Sequence, residues 1–153
     1  MGISEDIKQS KFKNEFSKAL INIIYTNNWL CDKQVKFFKP HDLTTPQYNV
    51  LRILRGQSPE PATINLLIDR MLDKSSNASR IVDKLESKGL VERRQCKNDR
   101  RAVDVVISQQ GLDLLTSIDE ELQTWESSID KLSESECQQL NELLDKLRAS
   151  DSK

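Results

Sequence analysis

Between Ser75 and Arg101 the chain gathers hydrogen-bonding and cationic side chains at spacings that suit recognition rather than catalysis. Ser75, Ser76, Asn77, Ser79 and Arg80 follow closely on one another, small polar groups beside one long guanidinium. Lys84 lies four residues beyond Arg80, on the same face if the segment is helical. Arg93, Arg94 and Lys97 come next, then Arg100 and Arg101 beside Asp99. Cations at this density attract phosphate, and a guanidinium among hydroxyls and amides can also read base edges. Catalytic chemistry has no counterpart here. His41 is the only histidine, and the sequence has neither a glycine-rich phosphate loop nor a nucleophile paired with a base. No metal site or cofactor is expected, and the chain does not read as an enzyme.

The charge is segregated. Net charge is −1 over 153 residues, which on its face argues against a polyanionic partner. Yet residues 70–101 carry ten basic side chains against five acidic ones, a net of +5. Residues 108–153 carry eleven acidic against four basic, a net of −7. The distribution, not the sum, governs attraction to phosphate. Cys31, Cys96 and Cys137 form no CxxC pair and no zinc spacing, as expected of reduced thiols. No apolar run reaches the ~20 residues that span a bilayer, and Met1–Lys13 is polar and mixed in charge, unlike a signal peptide. No membrane association and a cytoplasmic location are expected.

The elements that must position these groups are legible from periodicity. Phe12, Phe16, Ala19, Leu20, Ile23, Ile24, Leu30 and Cys31 mark one apolar stripe, predicting a helix from about Lys8 to Phe37. Thr44 and Gln47 form a capping-box pattern opening a second helix, with Gly56 as its expected stop. Thr63 caps a short third helix from Ile64 to about Met71. After a break at Leu72-Asp73-Lys74, Ser75 or Ser76 is expected to cap a fourth, closed by Gly89. The period then changes: Leu90–Arg94 and Val103–Ile107 read as two strands joined by a polar loop with a basic end. Ser108 caps a long fifth helix, and Ser133 with Glu136 opens the last. Two short helices across a tight turn, followed by a hairpin, make a winged helix-turn-helix. The fold class expected is mainly α with a small β-hairpin wing, flanked by dimerisation helices.

On these residues the chain resembles the MarR (multiple antibiotic resistance) family of winged helix-turn-helix regulators. The resembling stretches are Leu43 to Tyr48, Asn77 to Arg93, and Asp99 to Val103, the last carrying an Asp followed by paired arginines. Family members usually have a Leu-Ala pair in the third helix and a glycine in the turn after it. Here those positions read Leu67-Ile68 and Leu72, and compensating packing is expected. The resemblance implies a homodimer in which residues 8–37 and 108–149 intertwine between protomers, with Phe12, Phe16, Leu140, Leu144 and Leu147 in the seam. It also implies a DNA-binding lobe over residues 43–107, set on successive major grooves of a pseudo-palindrome.

The expected partner is therefore double-stranded DNA. Ser75, Ser76, Asn77, Ser79 and Arg80 meet base edges, although Asn77 and Ser79 can equally serve the helix terminus. Lys84, Arg93, Arg94 and Lys97 take phosphates, and at least one of Arg100 and Arg101 enters a groove while Asp99 pairs with the other. A repressor relieved by a small-molecule effector is the expected role. Two alternatives stand beside it. One is an oxidant sensor of the same fold acting through Cys31 or Cys96, the latter in a basic loop that would favour its thiolate. The other is an interaction module that binds no DNA, which leaves the basic segment unexplained. Trp29 and Trp125 read as core or interface filling before ligand-cleft lining.

Overall fold

The chain folds mainly into helix around a small antiparallel sheet, in a computed structural model that describes residues 1–95, 98–99 and 102–149. In order come α1 (Ile3–Asp6), α2 (Glu15–Phe38), α3 (Thr45–Gln57), β1 (Ala62–Thr63), α4 (Ile64–Arg70), α5 (Ala78–Ser87), β2 (Val91–Gln95), β3 (Val103–Ile107), α6 (Gln109–Ile129) and α7 (Glu134–Arg148). Residues 1–115 form one compact unit and residues 116–153 another. Among the described residues no helix is long and apolar enough to cross a membrane.

Local chemistry sets the element ends. Thr44 Oγ1 accepts from the Gln47 backbone N–H at 3.2 Å, and Gln47 Oε1 accepts from the Thr44 N–H at 3.1 Å, closing the expected capping box on α3. Thr63 Oγ1 caps α4 through the Leu66 N–H at 3.1 Å. At the far end of α5, Gly89 takes φ +74°. Its N–H reaches the Glu86 carbonyl at 2.9 Å and the Leu90 N–H reaches the Leu85 carbonyl at 3.0 Å. That is a Schellman closure, with Leu85 and Leu90 both buried as its apolar contact. Ser108 Oγ then holds the Gly89 carbonyl at 2.6 Å while accepting the Gly111 N–H at 3.1 Å, so one hydroxyl joins the end of α5 to the start of α6.

The sheet has strand order β1-β3-β2. Ala62 pairs with Val105, and Val91, Arg93 and Gln95 pair with Ile107, Val105 and Val103. Because side chains alternate along a strand, Ala62, Val91, Val105 and Ile107 share the face that is buried. Glu92, Arg94, Asp104 and Val106 share the other. Leu51 and Leu54 of α3, Leu67 of α4 and Val82 and Leu85 of α5 complete a closed core. α2 behaves differently. Of its 24 residues only Phe38 is buried, and Phe16, Ile24 and Val35 are 60%, 63% and 57% exposed.

Three expectations on element bounds are corrected, and one strand is new. The first long helix starts at Glu15, not Lys8: the Asn14 side chain caps it by accepting the Ser17 N–H at 2.8 Å, and Lys8 sits at φ 53°, outside any helix. Residues before it instead make α1, whose Ile3 is buried. α3 runs through Gly56 and ends at Gln57, since Gly56 stays helical when Ser58 takes the C-cap. α5 is capped by Asn77 rather than Ser75 or Ser76, because Ser75 is already bonded to Asp73. Finally, β1 has only two residues, too few for any periodicity to announce.

Candidate nucleic-acid interface

α4 and α5 are joined by Met71–Asn77, and this connection decides how α5 is presented. Met71 leaves α4 in extended geometry (φ −65°, ψ 140°) with its side chain buried. The Leu72 N–H donates to Asn49 Oδ1 of α3 at 3.0 Å, so the turn is pinned from outside itself. Lys74 Nζ donates to the Ile68 carbonyl at 2.9 Å and to the Asp69 carbonyl, satisfying the open end of α4 with a cation where the helix dipole favours one. Asp73 Oδ1 accepts from the Ser75 N–H at 3.0 Å and from Ser75 Oγ at 2.6 Å. Ser75's hydroxyl and amide, with Ser76's hydroxyl, hold the Asp73 carboxyl below its ordinary range. The bulk that replaces the family's small residues goes to solvent: Ile68 is 42% and Leu72 87% exposed. That is how this turn works without glycine.

α5 itself is amphipathic. Ala78, Val82 and Leu85 are buried, while Arg80, Asp83, Lys84 and Ser87 are exposed. Asn77 Oδ1 caps the helix through the Arg80 N–H at 3.1 Å, so at least one function of Asn77 is structural. Beyond its backbone, Arg80 makes no hydrogen bond or ion pair among the described residues, leaving an uncommitted guanidinium on the first turn. Lys84 is exposed one turn later on the same side. Ser76 is half-buried, and Ser75 and Ser79 are exposed.

The strand arginines separate. Arg93 turns toward α5: its Nη1 pairs with Asp83 Oδ1 at 2.5 Å and its Nη2 donates to the Ser79 carbonyl at 3.3 Å. Its backbone N–H donates to Glu86 Oε2 at 3.1 Å. Arg94 lies on the opposite sheet face and pairs with Glu92 Oε2 at 3.2 Å. A small cavity of about 220 Å³ there is lined by Ser58, Pro59, Glu60, Arg94, Val106 and Ile107. Lys88, just past α5, pairs with Asp42 Oδ2, before α3, at 3.5 Å and donates to Gln47 Oε1 in the first turn of α3 at 3.3 Å, fastening the end of α5 to the start of α3. The expected site residues Lys97, Arg100 and Arg101, and the thiol of Cys96, lie outside the described residues.

The arrangement therefore brings Ser75, Ser76, Asn77, Ser79, Arg80 and Lys84 together and sets Arg94 apart. Sequence reasoning missed Asn49 and Lys74. A lysine just past a helix end is a legible signal, whereas Asn49 acts across 23 residues and leaves no local trace. Of the residues expected in a seam, Phe12 precedes α2 and is half-buried, with Lys18 Nζ 5.5 Å from its ring centre. Phe16, Leu140 and Leu147 are exposed and Leu144 is half-buried. Cys31 is exposed, with Asn27 Oδ1 3.8 Å from its sulfur. Among the described residues no cluster of His, Cys, Asp and Glu could hold a metal ion.

The chain is similar to known proteins over most of its length. The profile of the MarR family matches residues 43–103. The HTH-type transcriptional regulator MhqR of Bacillus subtilis (strain 168) is 30% identical over 114 residues, 74% of this chain and 77% of that protein. A crystal structure of mutant MarR from E. coli complexed with operator DNA matches with a TM-score of 0.77 at 26% identity, covering 90% of this chain and 99% of that one. The organohalide-sensing regulator RdhR, in its 2,4-dichlorophenol-bound form, matches with a TM-score of 0.78 at 18% identity, covering 93% and 86%.

Proposed function

The chain belongs to the MarR family of DNA-binding transcriptional regulators, which are not enzymes, and from that premise we propose that it is a homodimeric repressor of a pseudo-palindromic operator, released by a small-molecule effector. The observation that carries the reading is the first turn of α5, where an Arg80 guanidinium with no partner among the described residues lies close in sequence to Ser76 and Ser79, on a helix whose other face is buried. In this reading α5 enters the major groove, Arg80 bonds a base edge and Lys84 a phosphate. Ser75, whose hydroxyl is engaged by Asp73, contributes through the shape of the turn.

Pairing is supported by the exposed apolar rows of α2 and α7, Phe16, Leu20, Ile23 and Ile24 on one and Leu140, Leu143 and Leu147 on the other. Rows of this length in water favour a second copy. Two lobes would then meet half-sites ~34 Å apart, one turn of the duplex. Release by a small molecule draws support from the dichlorophenol-bound relative, and works if the effector binds better to a dimer whose recognition helices are wrongly spaced. A repressor of this kind acts where the chromosome is, in the cytoplasm.

The test is fluorescence anisotropy of the full chain with duplex from just upstream of its own gene, beside scrambled duplex, across a salt series. Preference for the native duplex, with a loss of about 10- to 100-fold in Arg80→Ala, supports the reading. Absence of binding to either duplex at low salt overturns it in favour of an interaction module.

A further inference from the structure

The α5 face that the operator reading turns toward DNA carries an acid. Asp83 lies three residues after Arg80 and one before Lys84, with its side chain 57% exposed. A carboxylate there would oppose phosphate approach, since like charges brought together across an interface cost affinity. The structure answers that charge from the sheet. Arg93 leaves β2 on the α5 side and spans α5 with three contacts: Asp83 Oδ1 at 2.5 Å, the Ser79 carbonyl at 3.3 Å, and Glu86 Oε2 at 3.1 Å from its backbone N–H. Its side chain is 31% exposed, against 64% for the neighbouring Arg94. A side chain with its guanidinium committed on two sides is poorly placed to take a phosphate.

We infer that Arg93 is a positioning residue, not a DNA contact: it masks the Asp83 carboxylate and fixes the angle of α5 against β2, so that Arg80 and Lys84 face the duplex without a competing charge. This rests on the operator reading above and reassigns one residue that charge alone marks as a phosphate ligand. The guanidinium suits the task because two N–H groups on one planar fork serve a side chain and a carbonyl at once. A lysine keeps the charge and loses the fork.

The experiment uses the full chain as wild type, Arg93→Ala, Asp83→Asn, Arg93→Lys and the double variant Arg93→Ala/Asp83→Asn. Each is titrated by anisotropy into scrambled duplex and into duplex from upstream of its gene, over a salt series, with circular dichroism to verify folding. A masking role expects Arg93→Ala to weaken binding to both duplexes about tenfold through the bared carboxylate, with the salt slope unchanged. The double variant should recover scrambled-duplex binding to within about threefold of wild type, because the offending charge is gone. Asp83→Asn should bind scrambled duplex at least as tightly as wild type while its preference for the native duplex falls. Arg93→Lys, which folds if any variant does, should keep scrambled binding and lose part of the preference. The inference is overturned if Arg93→Ala lowers the salt slope by about 0.9 per lost contact and Asp83→Asn brings no recovery, the signature of a phosphate ligand. Both arms read on scrambled DNA, so they stand even if the upstream duplex is not the operator. Only a wild type that binds no duplex at all removes the operator reading, and this inference with it.

Discussion

The segment from α3 to β3 and the helices α2 and α7 put their apolar residues to opposite ends. In the first, Val50, Leu51, Leu54, Leu67, Val82, Leu85 and Val105 have essentially no contact with solvent. In α2, a helix nearly twice as long as α3, the one buried side chain is Phe38, and in α7 there is none. Capping is sound in both regions: Thr44 and Ser133 each close a complete capping box. What differs is whether the apolar face already has a neighbour. Helix stability in proteins comes mostly from burying such a face, not from propensity. The segment from α3 to β3 closes its core within one chain, whereas α2 and α7 leave apolar faces exposed.

The contrast is sharpest to break by charge. Ile24→Asp combined with Leu143→Asp puts carboxylates into the proposed seam, and sedimentation at micromolar concentration should show monomer, a loss of at least about a thousandfold in pairing. An unchanged sedimentation profile would mean that these rows do not pair. Leu85→Ala strikes the other region and should cost about 2–5 kcal/mol in urea denaturation, with the cavity term included. The same truncation at exposed Leu143 should cost a monomer under about 0.5 kcal/mol. Next in size is Gly111→Ala. A methyl there would collide with the Leu90 carbonyl and stand 2.7 Å from Ile107 Cγ1, at the turn where Ser108 Oγ accepts the Gly111 N–H. About 1–3 kcal/mol should be lost, again by urea titration.

The smallest effect concerns pH. Hydrogen bonds from Ser75 and Ser76 lower the Asp73 pKa in the folded chain. A depressed carboxyl contributes stability above its unfolded pKa and loses it as pH falls through the folded one. The order of the 73–76 turn should therefore persist at neutral pH and fade below about pH 4. Ser75→Ala should move the Asp73 titration upward toward its ordinary value, read from its carboxyl carbon by NMR. No movement would deny Ser75 its role in the turn.

What could be read in advance follows the same division. Periodicity placed the helices of this segment, and the strand Val103–Ile107 was legible residue for residue because four of its five residues are β-branched valine or isoleucine. The resemblance to the family was carried by Leu43 to Tyr48, Asn77 to Arg93 and Asp99 to Val103. Boundaries set by competition between neighbouring side chains were not. Ser75, Ser76 and Asn77 can all cap a helix, and the winner was decided by Asp73 engaging Ser75 first. Phe12 continues the α2 stripe by spacing, yet Asn14 begins the helix after it. In the site, composition marked the arginines equally. Only the strand register, which puts Arg93 and Arg94 on opposite faces, separated a residue that grips α5 from one paired with Glu92.

The bond from the Leu72 N–H to Asn49 carries one more consequence. A turn held together by its own glycine is brittle under sequence drift, since most replacements at that position need a backbone angle they rarely adopt. Here the anchor is a side chain lent by α3 to a backbone amide, and a backbone amide is present whatever residue occupies position 72, proline excepted. Position 72 can thus accept new side chains, proline excepted, without losing this bond. The position that cannot change without loss of the bond is Asn49, in α3, a full 23 residues before the amide it holds.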